Sequence, residues 1–170
     1  MSGCTDVGEA GAAVALLKRK HVAVFSVAQT GHINPTLPVV QRLVARGCKV
    51  TYFLTSPQHA AAVSSAGAEH VVVPPLSTSA LASRPSVLDL ASAAVDALPW
   101  IVDALRALEP AVDVVVHDVL AKWGAWAAHV LSVPAVCSCT TFVLDDGDLC
   151  SVNAKPTDEH TVALSTLASR

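Results

Sequence analysis

Residues 21–35 read HVAVFSVAQTGHINP, and this stretch decides the fold. Its first seven residues are a short run rich in β-branched side chains, which predicts a buried strand. Asn34 is a good helix N-cap and Pro35 suits the first helical position, so a helix is predicted to begin near Pro35. An open α/β sheet places the residues that handle its ligand at strand-to-helix turns of this kind.

The alternation of strand and helix continues along most of the chain. Apolar runs of strand length alternate with helical patterns, which predicts a doubly wound parallel sheet, Rossmann-like, with right-handed crossovers. A long loop rich in Ser, Thr and Pro is expected at residues 74–85, and Pro99 predicts a break or kink in the helix that follows. Further strands are predicted at residues 49–54, 69–73, 112–116 and 134–138.

Composition and charge exclude several classes of protein. The 170 residues are 52% hydrophobic and 15% charged with a net charge of −3, so no basic patch suggests a nucleic-acid partner. No uncharged apolar run is long enough to predict a membrane span. Asp6 and Glu9 precede any apolar run, which is unlike a signal peptide. Five cysteines without metal-ligand spacing predict reduced thiols, and we expect a cytoplasmic protein.

Three segments differ in composition. Residues 1–20 are expected to be a flexible leader, and residues 21–144 contain the strand and helix patterns of one domain. Residues 145–170 form a polar tail that begins with an acidic cluster and has weak helical potential near its end. A single domain of this length is long enough to bury a core.

The turn after the first strand does not have the glycines of a phosphate-binding loop. Gly31 stands alone there, and the chain has no G-x-G-x-x-G, G-x-x-x-x-G-K-[ST] or G-x-S-x-G motif. We therefore expect no tightly bound dinucleotide cofactor, and the cysteine and histidine spacings predict no metal site. The turn looks suited to proton chemistry rather than to holding a phosphate.

His32 and Asp118 are the candidate catalytic pair. Imidazole has an ordinary pKa of about 6.5, so His32 is suited to accept a proton at neutral pH. Taken alone, His32 is better explained as a capping or packing residue, and Asp118 as an acid at a helix N-terminus. Together they follow strands one and four, whose ends are neighbours where the strand order of such a sheet reverses. A carboxylate on one ring nitrogen fixes the tautomer and frees the other nitrogen as base.

The remaining histidines and the tryptophans have structural interpretations. His117 precedes Asp118 on the same strand and is expected to face the opposite side of the sheet. Trp123 and Trp126 lie three apart on one helix and are expected to pack in the core, with a pocket wall as the alternative. Structural or surface roles are expected for His21, His59, His70, His129 and His160.

At residues 21–144 the chain resembles the N-terminal domain of the UDP-glycosyltransferases of natural products, especially the macrolide type. The resemblance rests on the G-H-x-x-P turn at its position after the first strand and on several further runs. The matching runs are residues 31–38, 43–47, 50–53 and 114–118, followed by Trp123-Gly124 and residues 133–136.

This resemblance implies a two-domain glycosyltransferase of the B-type fold. The N-terminal half, which residues 21–144 resemble, would bind a small-molecule acceptor. The C-terminal half, expected to lie outside this sequence, would bind a UDP-sugar as co-substrate. In the family, the histidine matching His32 is the general base that deprotonates an acceptor hydroxyl, which attacks the anomeric carbon with inversion. The aspartate matching Asp118 supports that base, and no metal is required.

The acceptor pocket is expected over the strand ends. Gly31, Asn34 and Pro35 would shape the turn beside it, and the loop at 74–85 would form one wall. Thr141 and Phe142, in the segment 141–144 after the fifth strand, would contact the acceptor. Because these loops carry little charge, we expect a hydroxylated apolar acceptor that receives a hexose.

Three other interpretations stay open from the sequence. The chain could be a non-catalytic binding subunit that works with a separate donor-binding chain. It could be a truncated product without activity. A flavodoxin-like signalling or cofactor-binding domain has the same alternation of strands and helices.

Overall fold

The computed structural model describes residues 20–76 and 87–140 as one five-stranded parallel sheet with helices on both faces. This confirms the predicted doubly wound, Rossmann-like fold. The strands are β1 (His21–Ser26), β2 (Lys49–Leu54), β3 (Glu69–Val72), β4 (Val114–Asp118) and β5 (Ala135–Ser138). The helices are α1 (Thr30–Ile33), α2 (Leu37–Ala45), α3 (Ala60–Ser65), α4 (Val87–Arg106) and α5 (Lys122–Val130), with 3₁₀ turns at Asn34–Thr36, Pro57–His59 and Pro74–Leu76.

The strand order reverses at β1, which lies at the centre of the sheet. The order is β3-β2-β1-β4-β5, and β1 pairs in parallel with both β2 and β4. This reversal is the point where open α/β sheets bind their ligands. A flavodoxin-like sheet has the order 2-1-3-4-5, so the observed order excludes the flavodoxin-like interpretation.

Alternating side chains of β1 divide the core into two clusters. Val22 and Val24 pack on the face covered by α2 and α3, whereas Ala23 and Phe25 pack on the face covered by α4 and α5. Successive strand residues point to opposite faces, and helices cover both faces. β1 is therefore buried on both sides, and its sequence is one mainly apolar run. Phe25 and Phe53 stack with ring centroids 4.5 Å apart.

The helix after β1 begins five residues earlier than predicted. The N–H groups of His32 and Ile33 donate to the carbonyl of Gln29, so helical structure starts at Thr30. Pro38 has no N–H to donate to the carbonyl of Asn34, and the N–H of Leu37 donates there instead. The missing N–H of Pro38 explains why a 3₁₀ turn separates α1 from α2.

Two other local predictions differ from the structure. α4 continues through Pro99 without a break. β4 extends two residues further than predicted, because His117 and Asp118 pair with Cys137 and Ser138 of β5. Asp118 is therefore the last residue of the strand rather than the second residue after it.

The predicted core role of the tryptophans is confirmed. Trp123 is buried in the cluster beneath α4, and Trp126 packs against that cluster while partly exposed. Within the described ranges, no helix has both the length and the apolar character needed to cross a bilayer.

Candidate active site

His32 and Asp118 form a hydrogen-bonded pair at the carboxyl edge of the sheet. Their strands are neighbours, since Phe25 of β1 pairs with His117 of β4. The Nδ1 atom of His32 lies 3.0 Å from Oδ1 and 2.9 Å from Oδ2 of Asp118. The Asp118 side chain is 0% exposed and that of His32 is 11% exposed. The structure thus brings the two predicted residues into direct contact.

Asp118 also binds the backbone that follows it. Its Oδ1 accepts from the N–H of Leu120 at 2.8 Å, and its carbonyl accepts from the N–H of Ala121 at 2.9 Å. The N-cap position of α5 belongs to Ala121, so Asp118 does not cap that helix. The local bond holds the carboxylate in place and leaves it able to bind His32 as well.

Thr140 completes this cluster and was not among the residues singled out from the sequence. Its Oγ1 lies 2.9 Å from Nδ1 of His32 and donates a hydrogen bond to Oδ2 of Asp118. Thr140 lies two residues beyond β5, the neighbour of β4, so the argument from strand ends could have found it. The predicted contacts one and two positions later, Thr141 and Phe142, lie outside the described residues.

The contacts of the His32 ring determine its tautomer. Within the described part of the chain, all hydrogen-bond partners of the ring are on Nδ1. An ionised carboxylate only accepts hydrogen bonds, so Nδ1 carries a proton and donates it to Asp118. Nε2 is then the nitrogen with a free lone pair, which is the arrangement of a general base.

A buried pair of hydroxyl groups supports the turn that carries His32. Thr36 Oγ1 donates to the carbonyl of Ile33 at 2.8 Å and lies 2.8 Å from the hydroxyl of Tyr52. Since the single Thr36 proton goes to Ile33, the Tyr52 hydroxyl donates to Thr36. Burial raises the pKa of Tyr52. These bonds tie the turn to β2.

The other predicted site residues on the turn are exposed beside His32. Gly31 and Asn34 both face solvent, and a Cβ atom on Gly31 would meet no atom within 4 Å. The loop expected at 74–85 is described only as far as Leu76, where it is a 3₁₀ turn. The described segments contain no cluster of three or more His, Cys, Asp or Glu side chains able to hold a metal ion.

His117 faces away from the pair, as predicted. Its Nδ1 lies 3.0 Å from the carbonyl oxygen of Asp118, on the face of the sheet opposite to His32. Burial lowers the pKa of His117, and the bond to that carbonyl opposes the shift. His117 therefore remains neutral more readily than an exposed histidine, and it binds the backbone carbonyl of Asp118 rather than the carboxylate that binds His32.

Comparison with known proteins relates both sequence and fold to one group. Over 124 residues the chain is 36% identical to the oleandomycin glycosyltransferase of Streptomyces antibioticus, covering 68% of this chain and 28% of that protein. It is 26% identical over 137 residues to the NDP-glycosyltransferase YjiC of Bacillus subtilis, covering 76% of this chain and 34% of that protein. The crystal structure of CalG4, the calicheamicin glycosyltransferase, superposes with a TM-score of 0.67 at 26% identity, covering 89% of this chain and 42% of that one. The chain belongs to the natural-product glycosyltransferases.

The match is to part of each relative. The chain spans about a third of the length of the curated relatives it matches. No family model matches the chain. The resemblance inferred from the G-H-x-x-P turn and the strand sequences is instead confirmed by pairwise sequence identity and by fold.

Proposed function

We propose that this chain is the acceptor-binding half of an inverting, nucleotide-sugar-dependent glycosyltransferase, in which His32 is the general base. The observation that carries the proposal is the bond from His32 Nδ1 to the buried carboxylate of Asp118. This bond fixes the proton on Nδ1 and stabilises the imidazolium that forms once Nε2 has taken a proton. With the proton fixed on Nδ1, the lone pair of Nε2 is available to accept the proton of an acceptor hydroxyl.

The chemistry follows from these two residues. Nε2 of His32 removes the proton of the acceptor hydroxyl as its oxygen attacks the anomeric carbon of the sugar. The bond from that carbon to the nucleoside diphosphate breaks, and the diphosphate leaves from the opposite face with inverted configuration at carbon. Base assistance of this kind contributes about 10²- to 10⁴-fold in rate.

The donor and the acceptor are proposed by class. We infer a UDP-sugar or related nucleotide sugar, held by a donor-binding half, and a hexose transferred from it. Solved structures of similar fold include one in complex with UDP and one with thymidine diphosphate. For the acceptor we infer a small, apolar, hydroxylated molecule, since the exposed turn residues beside His32 carry no charge.

The test joins this chain to the donor-binding half of the oleandomycin enzyme and follows transfer from UDP-glucose to a panel of small phenols and alcohols. We expect His32→Ala to lower kcat about 10²- to 10⁴-fold. His129→Ala, at an exposed position on α5, is the matched control and should transfer at the unsubstituted rate. Nuclear magnetic resonance of the product should show inverted configuration at the anomeric carbon. Near-normal transfer by the His32→Ala protein to an unactivated alcohol, or retained configuration, would falsify the proposal.

A further inference from the structure

The hydroxyl of Thr140 lies between the two members of the pair and contacts both. Its Oγ1 is 2.9 Å from Nδ1 of His32 and is hydrogen-bonded to Oδ2 of Asp118. Asp118 ends β4, and His32 and Thr140 lie on the segments that follow the neighbouring strands β1 and β5. Along the chain, Thr140 is 108 residues from His32 and 22 residues from Asp118.

The number of protons available determines which atom donates in each hydrogen bond of Thr140. A threonine hydroxyl has one proton and two lone pairs, and the ionised carboxylate of Asp118 can only accept. The Thr140 proton therefore goes to Asp118, and a lone pair of Thr140 faces Nδ1 of His32. Nδ1 is then surrounded by acceptors from two residues, which requires it to carry the ring proton.

Thr140 also fixes the plane of the carboxylate. The terminal torsion of an aspartate is broad, so a single hydrogen bond leaves its two oxygens free to rotate. Asp118 has a donor on each oxygen, the N–H of Leu120 on Oδ1 and the hydroxyl of Thr140 on Oδ2. With both oxygens held, the carboxylate keeps one orientation toward His32.

We propose that Thr140 is a positioning residue that keeps the proton of His32 on Nδ1 and the carboxylate of Asp118 in one orientation, so that Nε2 alone acts as the base. The inference rests on the proposed function for its effect on turnover. Its effect on the His32 ring is measurable without any substrate. In this role Thr140 acts through the two residues it binds.

Three variants of the chain test the effect on the ring. Thr140→Val keeps the β-branched shape and removes the hydroxyl, whereas Thr140→Ser keeps the hydroxyl. Thr30→Val makes the same chemical change at an exposed position of α1. Two-dimensional ¹H–¹⁵N spectra of ¹⁵N-histidine protein report the tautomer of His32 and the exchange of its Nδ1 proton with water. We expect faster exchange and a mixed tautomer in Thr140→Val, and the unsubstituted pattern in the other two proteins. Circular dichroism confirms that each protein is folded.

The same variants in the fused enzyme test the effect on turnover. Loss of one hydrogen bond to a charged group corresponds to roughly a 10- to 100-fold change. We therefore expect kcat to fall about 10- to 100-fold in Thr140→Val with KM unchanged, and to recover in Thr140→Ser. If Thr140→Val leaves either the His32 ring or kcat unchanged, the inference is overturned. Failure of the proposed function gives a different pattern, because His32→Ala would then retain transfer whatever Thr140→Val does to the ring.

Discussion

Gly124 lies against the ring of Phe25, so closely that a Cβ atom added to Gly124 would be 2.9 Å from three carbons of Phe25. This contact packs the first turn of α5 onto β1. The same turn follows directly after the residues that hydrogen-bond to Asp118. Phe25 has no space to move away, since it is 0% exposed. The close approach thus requires glycine for a packing reason rather than for its backbone freedom.

Gly124→Ala is expected to destabilise the protein. Alanine is favoured over glycine in a helix by about 0.5–1 kcal/mol, but overpacking a core costs about 1–3 kcal/mol, so the clash with Phe25 should prevail. We expect a net loss of roughly 1–2 kcal/mol in the free energy of unfolding in urea. Gly31→Ala is the matched control, because its Cβ would enter open space, and it should leave stability equal or slightly higher. Equal stability of the two variants would contradict the packing argument.

The ionisation of Tyr52 is expected to accompany unfolding at high pH. Tyr52 is the only tyrosine in the chain, so tyrosinate absorbance reports this residue alone. Burial raises its pKa above the ordinary 10.0, so the folded state keeps the phenol proton longer than the unfolded state does. Stability should therefore fall as pH rises above about 10.

The measurement compares the absorbance titration of Tyr52 with loss of circular dichroism. We expect the two alkaline transitions to coincide. Tyrosinate that forms near pH 10 while the helical signal stays intact would show that Tyr52 is accessible in the folded protein. Tyr52→Phe, which removes the donor to Thr36, should cost about 0.5–1.5 kcal/mol in unfolding free energy.

Asp113 is expected to contribute stability that disappears in acid. Its Oδ1 accepts from Nζ of Lys20 at 2.6 Å and its Oδ2 from the N–H of His21 at 2.8 Å. The bond to Lys20, then the bond to the His21 backbone, lowers the pKa of Asp113 below its ordinary 3.8. A carboxyl with a lowered folded pKa stabilises above its unfolded pKa and loses that contribution as pH falls through the folded value.

Urea unfolding between pH 7 and pH 2 measures this effect. The stability difference between the unsubstituted protein and Asp113→Asn should be largest near neutral pH and shrink below about pH 4. Asp103→Asn is the control, because Asp103 is 77% exposed and its pair with Arg106 is an exposed one on a helix surface. A difference for Asp113→Asn that does not depend on pH would count against its paired, ionised state.

Asp118→Asn is expected to reverse the His32 tautomer while keeping the fold. The amide retains an oxygen for the N–H of Leu120 and presents its NH₂ group to Nδ1, which favours the proton on Nε2. In the fused enzyme the loss of kcat should approach the roughly 10⁴-fold known for the analogous exchange in a serine protease triad. Histidine ¹⁵N shifts identify the tautomer, and an unchanged Nδ1–H form in Asp118→Asn would contradict the prediction.

Local sequence pattern was sufficient to predict the strands and helices and to name His32 and Asp118. Apolar periodicity depends on neighbouring residues, and the carboxyl ends of parallel strands lie at one edge whatever their order. Both residues could therefore be assigned to that edge from the sequence. The boundaries were less certain, because Pro38 and the pairing of β4 with β5 shifted them by a few residues.

The sequence by itself determined the class of fold, the edge at which the candidate site lies and the two residues proposed as its central pair. Only the tertiary structure decided that Thr140 joins that pair, that Tyr52 supports the turn through Thr36, and that Gly124 must be small beside Phe25. The physical reason is that these contacts join residues far apart in the chain. They depend on strand order, register and the path of the chain beyond each strand, which local periodicity does not encode.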